Sequence, residues 1–175
     1  MFFKMRSAYF VAALSAVLSV AAVASAKYKA QDPKIQVHAK GPGGMKIDGK
    51  SPKLIIDEDD KSVTFKTFLN TIDTGNGMRN EHMQERFEAA KYPDIKLTVD
   101  KDKIDDKKGG SLPGTLTFHG VAKKVDVKYD VKGKHVHAGF NFDVSNHKID
   151  KDQLCAFHVC ADSAVSVEVD FDLAG

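Results

Sequence analysis

Hydrophobic and polar side chains alternate along most of this chain, the period-2 signature of strands with one buried face. Ile35, Val37 and Ala39 alternate with polar neighbours until Gly41-Pro42-Gly43-Gly44 breaks the run. Met45 and Ile47 follow, then Leu54 and Ile56 ahead of an acidic turn at 57–60. Val63, Phe65, Thr67 and Leu69 form the next run, and Ile95, Leu97 and Val99 another. Leu116 and Phe118 precede Val125, Val127, Tyr129 and Val131, and a Gly133-Lys134 turn leads into Val136, Ala138, Phe140 and Phe142. Val165, Val167, Val169, Phe171 and Leu173 close the series. Gly109-Gly110-Ser111 reads as a turn between strands. Eight or nine short strands with one apolar and one charged face predict an all-β barrel or sandwich. A barrel removes the exposed edges of an open sheet.

One segment departs from this alternation. Between 80 and 90 the apolar residues are Met83, Phe87 and Ala90, spaced four and three apart, which is one face of a helix. Asn80 is its expected N-cap, and Pro93 stops it and opens the next strand. A single short helix among strands predicts a lid across one barrel end.

The N-terminus bears on compartment. Lys4 and Arg6 precede an uncharged run at 8–24, and Ala24-Ser25-Ala26 supplies the small residues of a cleavage site. These are the parts of a secretory signal. The run is slightly short for a bilayer core, which takes roughly 20 residues. The expected division is a signal peptide at 1–26 and one domain at 27–175, located in the periplasm and not stably inserted in the membrane. The whole chain carries 26 Lys plus Arg against 24 Asp plus Glu. Removing Lys4 and Arg6 leaves 24 of each, so a mature domain is formally neutral. A nucleic-acid ligand would call for a basic footprint, and none is present.

Three stretches carry a family resemblance. Ile72-Asp73-Thr74-Gly75 precedes Arg79-Asn80-Glu81-His82-Met83; Lys91-Tyr92-Pro93-Asp94-Ile95 enters a strand; Leu116-Thr117-Phe118-His119-Gly120-Val121-Ala122-Lys123-Lys124-Val125 reads as a hairpin. In this order the sequence resembles the YceI-like family, lipocalin-like periplasmic proteins described as polyisoprenoid-binding. The resemblance implies an eight-stranded antiparallel barrel with an apolar channel for an isoprenoid or other long-chain lipid. It also implies Asp where Asn80 stands. The two cap a helix about equally well, whereas only Asp could do carboxylate chemistry.

The expected channel residues are Phe65, Leu97, Phe118, Val127, Phe140, Phe142, Val167 and Val169. The expected lid and mouth residues are Arg79, His82, Met83 and Phe87. Arg79 and His82 either meet a polar headgroup or pin the lid to the rim by hydrogen bonds. His135 and His137 share one strand face, and His119 reads as facing outward. No Asp or Glu is visibly placed to complete a metal set, so no metal is expected. Cys155 and Cys160 are read as a disulfide in an oxidising compartment, which requires a turn between them because an extended segment would hold them about 16 Å apart.

No Gly-x-Ser-x-Gly, phosphate loop or dinucleotide fingerprint is present, and no cofactor is expected. The leading expectation is a non-enzymatic carrier or sequestering protein for a long apolar amphiphile. The alternative is a structural or partner-binding module whose barrel is filled by its own side chains. Eleven Phe make that rival credible. Monomer and homodimer are both left open.

Overall fold

The computed structural model describes residues 28–156 and 159–173. The expected signal peptide lies outside the described residues. The strands are β1 (Ala30–Lys40), β2 (Lys46–Ser51), β3 (Ile55–Glu58), β4 (Ser62–Phe68), β5 (Asp94–Asp100), β6 (Gly109–Phe118), β7 (Val121–Lys132), β8 (His135–Asp143), β9 (Cys155–Ala156), β10 (Val159–Cys160) and β11 (Ala164–Leu173), and the helix is α1 (Gly77–Arg86). Nine of the strands form one sheet in the order β2-β1-β11-β8-β7-β6-β5-β4-β3, antiparallel throughout. The sheet curls into a half-barrel around the apolar core. β9 and β10 make a separate two-stranded hairpin.

Register follows from the apolar alternation, since a slip of one residue would turn every inward side chain to solvent. Ile56, Phe65, Leu97 and Leu116 align across β3, β4, β5 and β6. Phe140, Val167, Val37 and Gly49 align across β8, β11, β1 and β2. Gly49 keeps this row free of a side chain where Ile72 crosses: a Cβ there would lie 2.8 Å from Ile72 Cγ2. Val63 and Leu116 at 0% exposure sit deepest in the core.

The sheet's edge strands, β2 and β3, are consecutive in the chain and share no ladder. On the β2 side, backbone bonds between Lys50 and Asp73, each 2.8 Å, tie the strand to the segment between β4 and the helix. Hydroxyls add further contacts beside it. Ser51 Oγ lies 2.8 Å from Thr71 Oγ1, and Thr67 Oγ1 donates to the Lys53 carbonyl at 2.7 Å. Buried polar groups need such partners to be tolerated, which explains Ser and Thr at otherwise apolar positions.

Three local expectations are corrected. Gly109, with φ 78°, begins β6, so Gly109-Gly110-Ser111 is strand and not turn. The helix starts four residues earlier than expected: Asn76 is its N-cap, with its side chain accepting from Arg79 N at 3.0 Å. It also ends earlier, at Arg86. Phe87 is the C-cap and Glu88 takes a left-handed φ of 46°, so the chain has left the helix well before Pro93.

Candidate functional site

The half-barrel encloses a cavity of about 420 Å³, within the range of small-molecule sites. Its wall is mostly apolar. Phe65, Leu97, Phe118 and Val127 line one side, and Phe140, Phe142, Val167 and Val169 the other. The cavity runs the length of the barrel. Ile104, Tyr129, Val131 and Phe171 line it where β5, β7 and β11 end, and Lys40, Phe142 and Val165 where β1 and β8 end and β11 begins.

The helix lies at this second end. Arg79, His82, Met83, Arg86 and Phe87 line the cavity. Their spacing of three and four keeps all five on one helical face. Arg86 was not singled out from the sequence, although its position three residues after Met83 is the signal that would have found it. Phe87 packs edge-on against Phe118, ring centroids 5.4 Å apart, and Phe118 meets Phe142 in the same way at 5.7 Å. Aromatic edges set against faces gain more than their buried area alone provides.

Both ends of the lid are fixed by polar contacts. At the first, Asn80 Oδ1 accepts from Thr74 N at 2.9 Å and Thr74 Oγ1 at 2.6 Å, while Asn80 Nδ2 donates to Asp73 Oδ1 at 2.8 Å. This donation, with that of Gly75 N–H, holds the Asp73 carboxyl below its usual range. Asn80 is therefore a strut between helix and loop and caps nothing. A carboxylate could not donate to Asp73, so Asn suits this position better than the Asp implied by the family resemblance.

At the second end, His119 Nε2 bonds Glu88 Oε2 at 2.8 Å and its Nδ1 bonds the His147 carbonyl at 3.1 Å. Gln153 Nε2 also donates to the Arg86 carbonyl at 3.3 Å. The outward placement expected for His119 is wrong: it is 7% exposed. His119-Gly120 forms the two-residue turn between β6 and β7, with φ of 49° and 71°. Two left-handed residues are what a tight hairpin favours. They take His119 out of the strand alternation and turn its ring under the lid, against Tyr92.

His147, 1% exposed, packs against Phe118 and Phe142 behind the cavity wall. Burial pushes its pKa down, so its imidazole is held neutral. His135 and His137 are exposed on the outer face and do have acidic partners. Each lies 2.9 Å from an aspartate of β11: His135 from Asp172 and His137 from Asp170. Strand register places these pairs opposite one another. No group of three or more His, Cys, Asp or Glu among the described residues is disposed to hold a metal. Cys155 and Cys160 form a disulfide closing the β9–β10 hairpin, with Cα atoms 3.9 Å apart. Leu154 and Ala161, just outside this bridge, line the cavity.

A curled antiparallel sheet with an internal cavity and one helix defines a lipocalin-like architecture. Residues 17–174 match the YceI-like domain, and the chain belongs to the YceI-like family. Comparison with curated proteins gives no match. Among solved structures, the fold is similar to BcnA of Burkholderia cenocepacia, with a TM-score of 0.64 and 16% identity over 83% of this chain and 100% of that one. It is also similar to a polyisoprenoid binding domain from Saccharophagus degradans implicated in plant cell wall breakdown, with a TM-score of 0.61 and 14% identity over 84% of this chain and 97% of that one.

Proposed function

We propose that this protein is a periplasmic carrier or sequestering protein that holds an isoprenoid or other long-chain lipid in the barrel, its polar head at the lid. The observation that carries this reading is the apolar cavity of about 420 Å³ with cationic side chains at one end. An apolar wall gains from desolvating a hydrocarbon chain but cannot orient it; Arg79, His82 and Arg86 supply orientation. Arg79 and Arg86 carry fixed charge suited to a phosphate or carboxylate, and His82 adds a ring N–H donor. Membership of the YceI-like family and the likeness to a polyisoprenoid binding domain support a lipid ligand. The basic head, apolar run and small-residue exit at 1–26 support export.

The cavity also weighs against the rival of a barrel filled by its own side chains. A titration tests the proposal: a prenyl phosphate and the prenyl alcohol of equal chain length, each added to the wild type and to an Arg79→Glu/Arg86→Glu variant. The expected outcome is uptake of both by the wild type. The variant loses affinity for the phosphate by roughly tenfold or more, the scale of a lost charged hydrogen bond, and keeps the alcohol. A folded wild type that takes up neither overturns the reading.

A further inference from the structure

The cavity meets solvent differently at its two ends. At the lid end its wall includes the exposed residues Lys40, Met45, His82 and Asp162. At the other end β1 begins and β3, β5, β7 and β11 finish. There the wall is made by Tyr28, Val131, Val136 and Phe171, all buried, with half-buried Ile104 and Asp106 of the β5–β6 loop beside them. Among the described residues, none that lines this end is exposed. The cavity is therefore open at the lid and blind opposite it.

Polar contacts hold the blind end shut. Tyr28 N–H donates to Glu58 Oε2 at 3.2 Å, and Glu58, its side chain 8% exposed, pairs with Lys101 at the start of the β5–β6 loop. A carboxylate this deep is tolerated only with such partners. Lys101 N–H donates to the Lys61 carbonyl at 2.9 Å, and Asp105 N–H donates to Tyr129 Oη at 2.7 Å. These bonds fasten the loop on both sides of Ile104, whose side chain packs on the same core cluster as Tyr28.

We infer that Tyr28 and Ile104 form a fixed stop that sets the length of chain the barrel accepts. With the polar head at the lid, the tail runs down the cavity and ends against them. The inference rests on the carrier reading and adds the chain-length class of its ligand. A cavity of about 420 Å³ holds roughly 14 groups the size of a water molecule, at about 30 Å³ each. A methylene or methyl group is of similar size, so the tail is limited to about three isoprene units. Longer chains leave their excess outside the lid, where little apolar surface is removed from water.

Titration with prenyl phosphates of two to six isoprene units, each below its micelle-forming concentration, tests this. Wild-type affinity is expected to rise by roughly tenfold or more per unit up to about three units, within the gain from burying the added carbons. Beyond that break it should rise by less than about threefold per unit. Ile104→Ala removes part of the stop, so the four-unit chain should bind that variant roughly fivefold tighter or more, and Tyr28→Ala/Ile104→Ala should extend the gain to a longer chain still. Unchanged affinity for the two-unit chain shows that a variant is folded. Ile104 is half-buried in a loop, so the single variant carries the test if the double one does not fold. Wild-type affinity that climbs evenly through six units overturns the inference and leaves the carrier reading standing. A break at the same length in wild type and variants does the same. Binding of no chain at any length overturns both.

Discussion

Truncating Phe87 to Ala probes how the lid is held. Its ring is half-buried and packs edge-on against Phe118, 5.4 Å between centroids, with the cavity on its other side. A fully buried Phe costs about 3–5 kcal/mol on truncation. Here part of the ring already faces open space, so the loss is about 2 kcal/mol, comprising partial burial and one aromatic pair. Phe118, 3% exposed and touching Phe87, Phe142 and His147, should cost about 4 kcal/mol. Met83, also half-buried, is flexible enough for neighbours to fill in and should cost about 1 kcal/mol. In a domain of this size 1 kcal/mol moves Tm by about 2–4 °C. Phe87→Ala should then lower Tm by roughly 4–8 °C, between the other two variants. Urea denaturation of all three checks the order, with unchanged slopes reporting unchanged surface exposure on unfolding. Equal losses for Phe87→Ala and Met83→Ala would show that the lid is not packed through its C-terminal turn.

Two further outcomes follow from buried or bridged groups. His147 is held neutral with its pKa below the ordinary 6.5. Below pH 6.5 the unfolded chain takes up a proton there and the folded chain does not, so stability present above that pH is lost as pH falls. Denaturation between pH 7.5 and 5 should show this decline, and His147→Asn should flatten it; an unaltered slope would mean another group sets it. Replacing Cys155 and Cys160 with Ser opens a short ring, worth less than the roughly 3 kcal/mol of a 15-residue loop. Tm should drop by only a few degrees, by calorimetry, and collapse of the fold would show that the bridge holds more than its hairpin.

Strands were legible because alternation is local. The nine apolar runs correspond to the nine strands of the main sheet, and the channel residues named from alternation all line the cavity. Helix limits were less so. Met83, Phe87 and Ala90 drew the helix toward the C-terminus, whereas backbone geometry set its ends, with Gly75 at φ 73° before the Asn76 cap and Glu88 at φ 46° after Phe87. His119 was misplaced because a two-residue turn breaks strand periodicity exactly where its ring leaves the sheet face. The aspartates opposite His135 and His137 come from 33 to 37 residues away, and register at that range is fixed by the assembled sheet. No pattern of alternation in the sequence marks Arg86 or Lys40, since the curl of the sheet is what carries them to the cavity.

The central claim is that the barrel holds a lipid in the cell. Mass spectrometry of an organic extract from protein purified from the exported fraction tests it most directly, with an unrelated exported protein handled in parallel. The account predicts a long-chain apolar amphiphile with an acidic head, near one per protein chain and absent from the parallel extract. Protein that is well folded, yields no such lipid and takes up neither a prenyl nor an acyl chain when offered would contradict it.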